Sequence, residues 1–384
     1  MVNCMTESRH LVIASGGTGG HFYPTLAVAR EFMASCPDGH VTLLVSGKHA
    51  DEQASIAGKA GFESRSLPSV RLPNSILSLF RFPFELWRCV RVAKTVLAEL
   101  KPDVLLGMGS FAAVPACFAV DGKKVPLVLH EGNSFIGKAN RLFMKKASAI
   151  GLSLPLFDKS QLRGCPATEV GMPLRDAIVS ASEGNVQLPE RFLEGLGLKS
   201  DGRKTVLVFG GSQGARAVNE LVTGAAALLG DERERIQFIH LTGTDDNQAF
   251  VDAYRNAGVT ASVRRADSSI EYCYLCADIV ICRAGASSIC ELALFGKSAI
   301  LIPLPTAADD HQTVNASVIE AAGAACHLPQ RDASPEKLAG LLKDWLASPE
   351  KWAERGQKFM AFGKPKAAAS MVKVILGVLD NLHK

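Results

Sequence analysis

The chain has 384 residues, of which 47% are hydrophobic and 21% are charged, and its formal net charge is +4 at pH 7. This balance excludes a disordered or fibrous protein, and a chain of this length usually divides its hydrophobic core between two domains. The net charge is too small to indicate binding to nucleic acid, so we expect no nucleic acid among the partners.

The ten cysteines show no regular framework, which is typical of small buried residues in a reducing compartment. Cys273, Cys276, Cys282 and Cys290 are predicted to lie on helices and a strand rather than in the paired loops of a zinc site. The N-terminus lacks the features of a signal peptide, and no segment offers the ~20 unbroken apolar residues of a membrane span. We therefore expect a cytoplasmic protein that binds no metal or other cofactor.

Short apolar runs alternate with amphipathic stretches through the first half of the chain. The predicted strands cover residues 11–15, 41–46, 103–107 and 126–130. The predicted helices cover residues 24–34, 85–100 and 137–146. Alternation of this kind indicates a parallel sheet with helices on both faces.

The same alternation begins again after a segment, residues 171–203, that is rich in proline, glycine and charge and suits a linker. The predicted strands of the second half cover residues 204–209, 237–241, 278–282 and 298–303. Its predicted helices cover residues 215–229, 286–295 and 311–322. We predict two doubly wound, Rossmann-like α/β domains, residues 1–175 and 176–363, and a last helix within residues 364–384 that packs back on the first domain.

Each predicted domain opens with a strand, a glycine-rich turn and a helix. The turns are Gly16-Gly17-Thr18-Gly19-Gly20-His21 and Gly210-Gly211-Ser212-Gln213-Gly214-Ala215. Backbone N–H groups at such a helix N-terminus suit an anion. Neither turn has the Gly-Lys-Ser/Thr ending of a P-loop or the Gly-x-Gly-x-x-Gly spacing of a dinucleotide site, which disfavours a dehydrogenase. We expect the two turns to face a shared cleft.

A further anion site is predicted in Arg283-Ala-Gly-Ala-Ser-Ser-Ile-Cys-Glu291, where Ser287 and Ser288 suit the start of a helix. The carboxylate of Glu291, one turn further on, suits two hydroxyl groups of a ribose. The spacing fits a capping box between Ser288 and Glu291 equally well, so both interpretations stay open at this point.

At these residues the sequence closely resembles the MurG family, whose members have the GT-B fold of glycosyltransferases. The matching stretches are residues 16–21, 106–109, 129–131 with Asn133, 210–215, and 282–286 with Glu291. They follow the family order across both domains. The resemblance implies an inverting hexosyltransferase that moves N-acetylglucosamine from UDP-N-acetylglucosamine to lipid I, undecaprenyl-diphospho-N-acetylmuramoyl-pentapeptide, at the cytoplasmic face of the inner membrane. The product would be the lipid II of peptidoglycan synthesis.

The resemblance also implies site residues, position by position. The implied catalytic residues are His21 and Glu131. The implied substrate-binding residues are Thr18, Gly19, Gly20, Asn133, Arg175, Ser212, Ala286, Ser287, Ser288, Glu291 and Gln312. Gly132, Met172 and residues 110–113 depart from the usual family sequence, and these departures concern acceptor binding.

The transfer that the resemblance implies needs a general base and stabilisation of the leaving UDP. We favour His21 as the base, because histidine ordinarily titrates near neutral pH, and Glu131 is the alternative. Backbone N–H groups at both glycine turns and at residues 286–288, together with Arg175, are the candidates for binding the diphosphate, and no Asp-x-Asp metal site is present.

Residues 71–91 interleave large apolar side chains with Arg71, Arg81, Arg88 and Arg91. The apolar set is Ile76, Leu77, Leu79, Phe80, Phe82, Phe84 and Trp87. This pattern suits an anionic membrane surface, and the alternative is a core helix with arginines that reach to solvent.

Three other functions fit the sequence features. They are a GT-B glycosyltransferase with another acceptor, a nucleotide-sugar 2-epimerase that needs no acceptor, and a sensor that binds a nucleotide sugar without turnover. Acceptor-dependent release of UDP distinguishes the transferase from the last two.

Overall fold

The computed structural model describes residues 8–16, 19–69, 76–211 and 214–382. The chain divides into two compact units, of which the first holds residues 1–175 and 364–384 and the second holds residues 176–363. Among the described residues, no helix combines the length and the hydropathy that crossing a membrane requires.

The first unit is a parallel sheet with helices on both faces. In chain order its elements are β1 (His10–Gly16), α1 (Gly19–Ser35), β2 (His40–Ser46), α2 (Ala50–Lys59), β3 (Glu63–Leu67), α3 (Ile76–Leu100), β4 (Val104–Gly107), α4 (Val114–Ala119), β5 (Leu127–Glu131), α5 (Lys138–Arg141), β6 (Ala149–Leu152) and β7 (Ala167–Glu169). The strand order is β3-β2-β1-β4-β5-β6-β7, and every pair of neighbours is parallel. The order therefore reverses between β1 and β4, which places a crevice at their carboxyl ends.

The central strand β1 shows why this sheet is covered on both faces. Leu11 and Ile13 pack into one apolar cluster, whereas Val12 and Ala14 pack into another. All four side chains are at most 1% exposed. Because successive side chains of a strand point to opposite faces, a run of apolar residues predicts a strand buried on both sides.

The second unit repeats this architecture. Its elements are α6 (Asp176–Ser182), α7 (Phe192–Gly195), β8 (Lys204–Phe209), α8 (Arg216–Ala227), β9 (Ile236–Leu241), α9 (Gln248–Asn256), β10 (Thr260–Arg264), α10 (Ile270–Cys276), β11 (Ile279–Cys282), α11 (Ala286–Phe295), β12 (Ser298–Leu301), α12 (His311–Ala321), β13 (Cys326–His327), α13 (Pro335–Ala347) and α14 (Pro349–Phe359). The strand order is β10-β9-β8-β11-β12-β13, again parallel, so the reversal lies between β8 and β11.

The last helix, α15 (Ala367–Leu382), belongs to the first unit and packs against α1 and β6. Met371 and Ile375 are fully buried in the same cluster as Leu11. A side chain at Gly151 of β6 would lie 2.6 Å from the sulfur of Met371, so only glycine leaves room for this helix. A salt bridge of 2.8 Å between Arg9 and Asp380 adds a polar contact at the end of the helix.

The prediction of two doubly wound α/β domains is confirmed. Two local predictions are wrong. Residues 171–203 are not a plain linker, because they include α6, which buries Ile178 and Ala181 and packs against α10 and α11. The helix expected over residues 137–146 is only the four residues of α5. Tighter turns follow it, in which the N–H of Phe143 donates to the carbonyl oxygen of Asn140 and the N–H of Lys146 to that of Phe143.

Candidate active site

In the first unit, Gly19, Gly20 and His21 lie where the strand order reverses, whereas Glu131 and Asn133 follow the neighbouring strand β5. Helix α1 begins at Gly19, directly after the end of β1, so Gly19, Gly20 and His21 form its first turn. Thr18 lies outside the described residues. The N–H groups of a first helical turn have no partner within the helix, and here they occur at the carboxyl end of the sheet, where parallel sheets bind ligands.

His21 is held by the loop after β4. Its Nδ1 lies 3.0 Å from the carbonyl oxygen of Met108. A carbonyl oxygen only accepts hydrogen bonds, so Nδ1 carries the proton, and in the neutral ring Nε2 has the lone pair. Gly109 follows with a φ of +75°, and a side chain there would lie 3.0 Å from the carbonyl oxygen of His130. The loop can therefore approach β5 only with glycine at this position.

Glu131, at the end of β5, is buried and receives four hydrogen bonds. Its Oε1 accepts from the backbone N–H of Asn133 at 3.1 Å and from the Asn133 side chain at 3.0 Å. Its Oε2 accepts from the backbone N–H of Gly137 and from the side chain of Asn140, both at 2.9 Å. A carboxylate has about four acceptor directions, so this arrangement uses Glu131 to hold the loop after β5.

His130 is almost completely buried beside Glu131. Its Nε2 lies 2.9 Å from the hydroxyl of Ser153, which in turn donates to the Gly171 carbonyl oxygen at 3.2 Å. Burial is the main cause that lowers the pKa of His130 to about 4, and His21 nearby lowers it further, although a hydrogen bond toward Gly171 opposes this. The imidazole is therefore neutral at physiological pH, and it supports the loop without adding charge to the site.

Arg175, the last residue of the first unit, lies near the start of α1. Its guanidinium carbon is 5.7 Å from the ring centroid of Tyr23, which follows His21 by two residues. The structure thus brings the side chain of Arg175 to helix α1, although Arg175 and Tyr23 are far apart in the chain.

In the second unit, the second glycine turn lies where β8 and β11 diverge. Gly211 and Gly214 have φ values of +89° and +71°, which favour glycine. A side chain at Gly214 would lie 2.6 Å from the carbonyl oxygen of Thr242. The turn closes with a hydrogen bond of 2.9 Å from the N–H of Gly214 to the carbonyl oxygen of Gly211. Ser212, the predicted contact to the diphosphate, lies outside the described residues.

A buried polar network lies beneath this turn. Asn219 on α8 donates to the carbonyl oxygen of Thr242 at 3.0 Å and accepts from Nε2 of His240 at 3.1 Å. Nδ1 of His240 accepts from the hydroxyl of Tyr254 at 3.0 Å. Burial lowers the pKa of His240 to about 4, so this ring is also neutral at physiological pH. The network supports the same carbonyl against which Gly214 packs.

Helix α11 begins directly after β11, with Ala286, Ser287 and Ser288 in its first turn. The predicted capping role of the two serines is wrong. Gly285, with φ −68° and ψ 141°, is the N-cap residue, and no side chain caps it. A capping box needs its serine outside the helix, so the interpretation of Ser288 and Glu291 as such a box is excluded.

The carboxylate of Glu291 instead accepts a hydrogen bond of 2.7 Å from the hydroxyl of Tyr274.

The neighbouring loops of the second unit are tied together by buried polar side chains. Arg283 donates to the carbonyl oxygens of Ile302 and Pro303 at 3.1 and 2.9 Å, and burial lowers its pKa. The side-chain oxygen of Gln312 accepts from the N–H of Leu304 at 3.0 Å. These contacts connect the ends of β11 and β12 with the start of α12.

Sequence reasoning missed several residues that shape these sites, among them Asn140, Asn219, His240 and Tyr274. Each is buried within a helix or strand. A polar residue at a core position of a helix or strand is the signal that identifies such residues, because a buried polar group needs a partner. The described residues include no group of His, Cys, Asp or Glu side chains arranged to hold a metal ion.

Two doubly wound units, each with a glycine-rich segment at its strand-order reversal, match the architecture of two-domain glycosyltransferases of the GT-B type. Two family models agree with this class. The glycosyltransferase family 28 N-terminal domain matches residues 11–152, and the family 28 C-terminal domain matches residues 205–371.

Individual proteins narrow the class to one family. The UDP-N-acetylglucosamine–N-acetylmuramyl-(pentapeptide) pyrophosphoryl-undecaprenol N-acetylglucosamine transferase of Verminephrobacter eiseniae is 38% identical and covers 88% of this chain and 90% of its own length. The transferase of the same name from Anaeromyxobacter dehalogenans is 32% identical and covers 95% of this chain and 92% of its own length. The crystal structure of Acinetobacter baumannii MurG superposes with a TM-score of 0.75 at 26% identity, covering 96% of this chain and 99% of that one. The chain belongs to the MurG family.

Replacing Glu131 by glutamine tests its assignment as a loop anchor. The glutamine NH₂ group would face N–H donors, so we expect the free energy of unfolding to fall by about 1–3 kcal/mol. Urea denaturation of the intact protein measures this change. Glu169→Gln, at an exposed position of β7, should leave stability unchanged. A Glu131→Gln protein of unchanged stability but without turnover would instead identify Glu131 as the base.

Proposed function

We propose that this chain transfers N-acetylglucosamine from UDP-N-acetylglucosamine to the muramyl sugar of lipid I, with inversion, and so forms lipid II for peptidoglycan synthesis. The observation that supports this function is a match over nearly the whole chain to transferases whose name describes this reaction. Both glycine turns and the Arg283–Glu291 segment lie within the matched regions, so the proposal draws on the site residues as well as on the fold.

In this proposal the two units have different tasks. The first unit binds the acceptor and supplies the base, and Asn133 and Glu131 shape the loop beside it. The second unit binds the nucleotide sugar: Ser212 and the first turn of α11, Ala286 to Ser288, contact the diphosphate. Glu291 binds the ribose hydroxyls, and Gln312 binds hydroxyls of the sugar.

His21 is the proposed general base. The acceptor hydroxyl oxygen attacks the anomeric carbon, its proton moves to Nε2 of His21, and the bond between the anomeric carbon and UDP breaks with its electron pair on UDP. The Met108 carbonyl supports this assignment, because it places the existing proton on Nδ1 and stabilises the imidazolium that forms. Glu131 suits the role less well, because its oxygens already accept four hydrogen bonds.

The negative charge that develops on UDP needs stabilisation at the moment of bond cleavage. Fixed N–H groups of a helix start supply it without reorganisation, so the first turns of α1, with Gly19 and Gly20, and of α11 suit this task. Thr18 and the guanidinium of Arg175, beside the first turn of α1, are further proposed contacts to the diphosphate.

Membrane association is part of the proposal, and the exposed face of α3 supports it. Phe80, Phe84 and Trp87 are 78, 67 and 52% exposed, whereas Cys89 and Ala93 of the same helix are buried. Phe84 stacks on Trp87 at 6.0 Å, and the guanidinium carbon of Arg91 lies 4.8 Å from the Trp87 ring. Large exposed aromatic side chains beside arginines suit the interface of an anionic bilayer.

Arg71 lies outside the described residues, as do the side chains of residues 76–79.

The net charges of the two units also support a membrane contact through the first unit. The first unit has 24 basic and 14 acidic residues, a net charge of +10, whereas the second has 18 basic and 24 acidic residues, a net charge of −6. An anionic leaflet therefore attracts the first unit and repels the second. We place the protein peripherally at the cytoplasmic face of the inner membrane, with α3 as the contact.

The proposed reaction is tested by UDP release in the presence of a lipid I analogue and in a matched reaction without acceptor. We expect release that depends on the acceptor, because the sugar has to be transferred to a hydroxyl group. Release at the same rate without acceptor would indicate an epimerase or a hydrolase. Binding of UDP-N-acetylglucosamine without any turnover would indicate a sensor.

His21→Gln tests the assignment of the base, because glutamine retains an N–H donor but cannot take up the proton. We expect turnover to fall roughly 100-fold or more. His40→Gln, at the exposed amino end of β2, is the matched control and should leave turnover unchanged. A loss of only a few fold for His21→Gln would assign this residue to substrate positioning instead.

Flotation with liposomes tests the membrane contact. The wild type should bind vesicles that contain anionic lipid more strongly than neutral vesicles, and added salt should weaken the binding. Phe84→Ser with Trp87→Ser should reduce binding roughly tenfold or more, because each aromatic side chain contributes apolar area. Leu228→Ser, at an exposed position of the second unit, is the control. Equal binding of the wild type and the α3 variant would contradict the proposal.

A further inference from the structure

A hydrogen bond between helices α10 and α11 connects a buried phenol with the carboxylate proposed to bind ribose. The hydroxyl of Tyr274 donates to Oε2 of Glu291 at 2.7 Å. Tyr274 is completely buried, whereas Glu291 is partly exposed. The tyrosine therefore approaches the carboxylate from inside the protein, on the side away from solvent.

The ring of Tyr274 is fixed by two other aromatic side chains. Its centroid lies 6.1 Å from that of Phe209 in an edge-to-face arrangement and 5.2 Å from that of Phe295. Phe209 is the last residue of β8 and directly precedes the second glycine turn, and Phe295 ends α11. Tyr274 is therefore held between the end of β8 and the last turn of α11, while its hydroxyl reaches Glu291 near the start of α11.

The hydrogen bond from Tyr274 restricts the orientation of the Glu291 carboxylate. A free glutamate side chain samples many rotamers, and binding a ligand costs the entropy of selecting one of them. A buried hydroxyl that donates to Oε2 favours the one orientation in which both groups meet. Because hydrogen bonds to charged acceptors are short and strong, this donor is well suited to hold the carboxylate before the nucleotide arrives.

We infer that Tyr274 is a positioning residue for the nucleotide: its hydroxyl orients the Glu291 carboxylate toward the ribose diol and so contributes to the preference for a ribonucleotide donor. This inference rests on the proposed function, because it takes Glu291 as the ribose contact. Tyr274 itself is buried and acts only through Glu291.

Tyr274→Phe removes the hydroxyl and keeps the ring. We expect the KM for UDP-N-acetylglucosamine to rise roughly five- to tenfold with kcat within about twofold, because the lost hydrogen bond affects donor binding rather than the chemical step. Tyr272→Phe removes a hydroxyl from the same helix, where the ring packs on Phe192 instead, and should leave both parameters unchanged.

Donors that lack one ribose hydroxyl separate positioning from a general effect on the fold. The wild type should bind the 2′-deoxy and 3′-deoxy forms of UDP-N-acetylglucosamine more weakly than the parent donor. For Tyr274→Phe this discrimination should largely disappear. An unchanged discrimination in the variant, or a lower kcat without any change in KM, would overturn the inference.

A double-mutant cycle with Glu291→Gln adds a second measurement. If Tyr274 acts through Glu291, the effect of Tyr274→Phe on affinity should shrink when Glu291 is already replaced. Additive effects of the two substitutions would overturn the inference.

Titration of UDP without acceptor distinguishes this inference from the proposed function. Weaker UDP binding by Tyr274→Phe supports the inference even if the wild type shows no acceptor-dependent turnover, which would contradict only the proposed transfer. Equal UDP binding by the wild type and the variant overturns the inference whatever the turnover.

Discussion

In a parallel sheet, the connections after two neighbouring strands run to opposite faces wherever the strand order reverses, and their separation opens a crevice at the carboxyl ends. This constraint operates once in each unit, between β1 and β4 and between β8 and β11. The first turn of α1 and the loop after β4 meet at the first reversal, and the first turn of α11 follows β11 at the second. Gly19, Gly20 and His21 are positioned by the first reversal, and Ala286, Ser287, Ser288 and Glu291 by the second.

The loops at the reversals are held by buried polar side chains that form no part of the proposed chemistry. Glu131 collects four N–H groups after β5, and Arg283 donates to two carbonyl oxygens after β12. Buried polar groups are costly without partners, so the hydrogen bonds that these side chains do form favour one loop geometry. Glu131 and Arg283 therefore support the loops, whereas the proposed ligand contacts include backbone N–H groups at the first turns of α1 and α11.

The periodicity of the sequence predicted the long buried strands well, because β1, β8 and β11 are apolar on both faces. It missed β3 and β10, which lie at the edges of their sheets and are largely polar, as in Glu63-Ser-Arg-Ser-Leu67, and it also missed the short buried strand β6. Edge strands gain their pairing from one neighbour, and their side chains need not alternate clearly. The segment before β8 was similarly misjudged as a linker, because its short helix α6 buries only two residues, Ile178 and Ala181.

The sequence by itself determined the repeated strand, glycine turn and helix, and thereby the two doubly wound units and the family, because these features depend on local apolar periodicity and on the backbone freedom of glycine. Tertiary structure alone decided what the polar side chains contact. It placed the Met108 carbonyl on Nδ1 of His21 across 87 residues of chain, and it directed Tyr274 to Glu291 rather than leaving Glu291 to cap its own helix. The physical reason is that a hydrogen-bond partner is set by which strands and helices become neighbours in the folded sheet, and local periodicity carries no information about that choice.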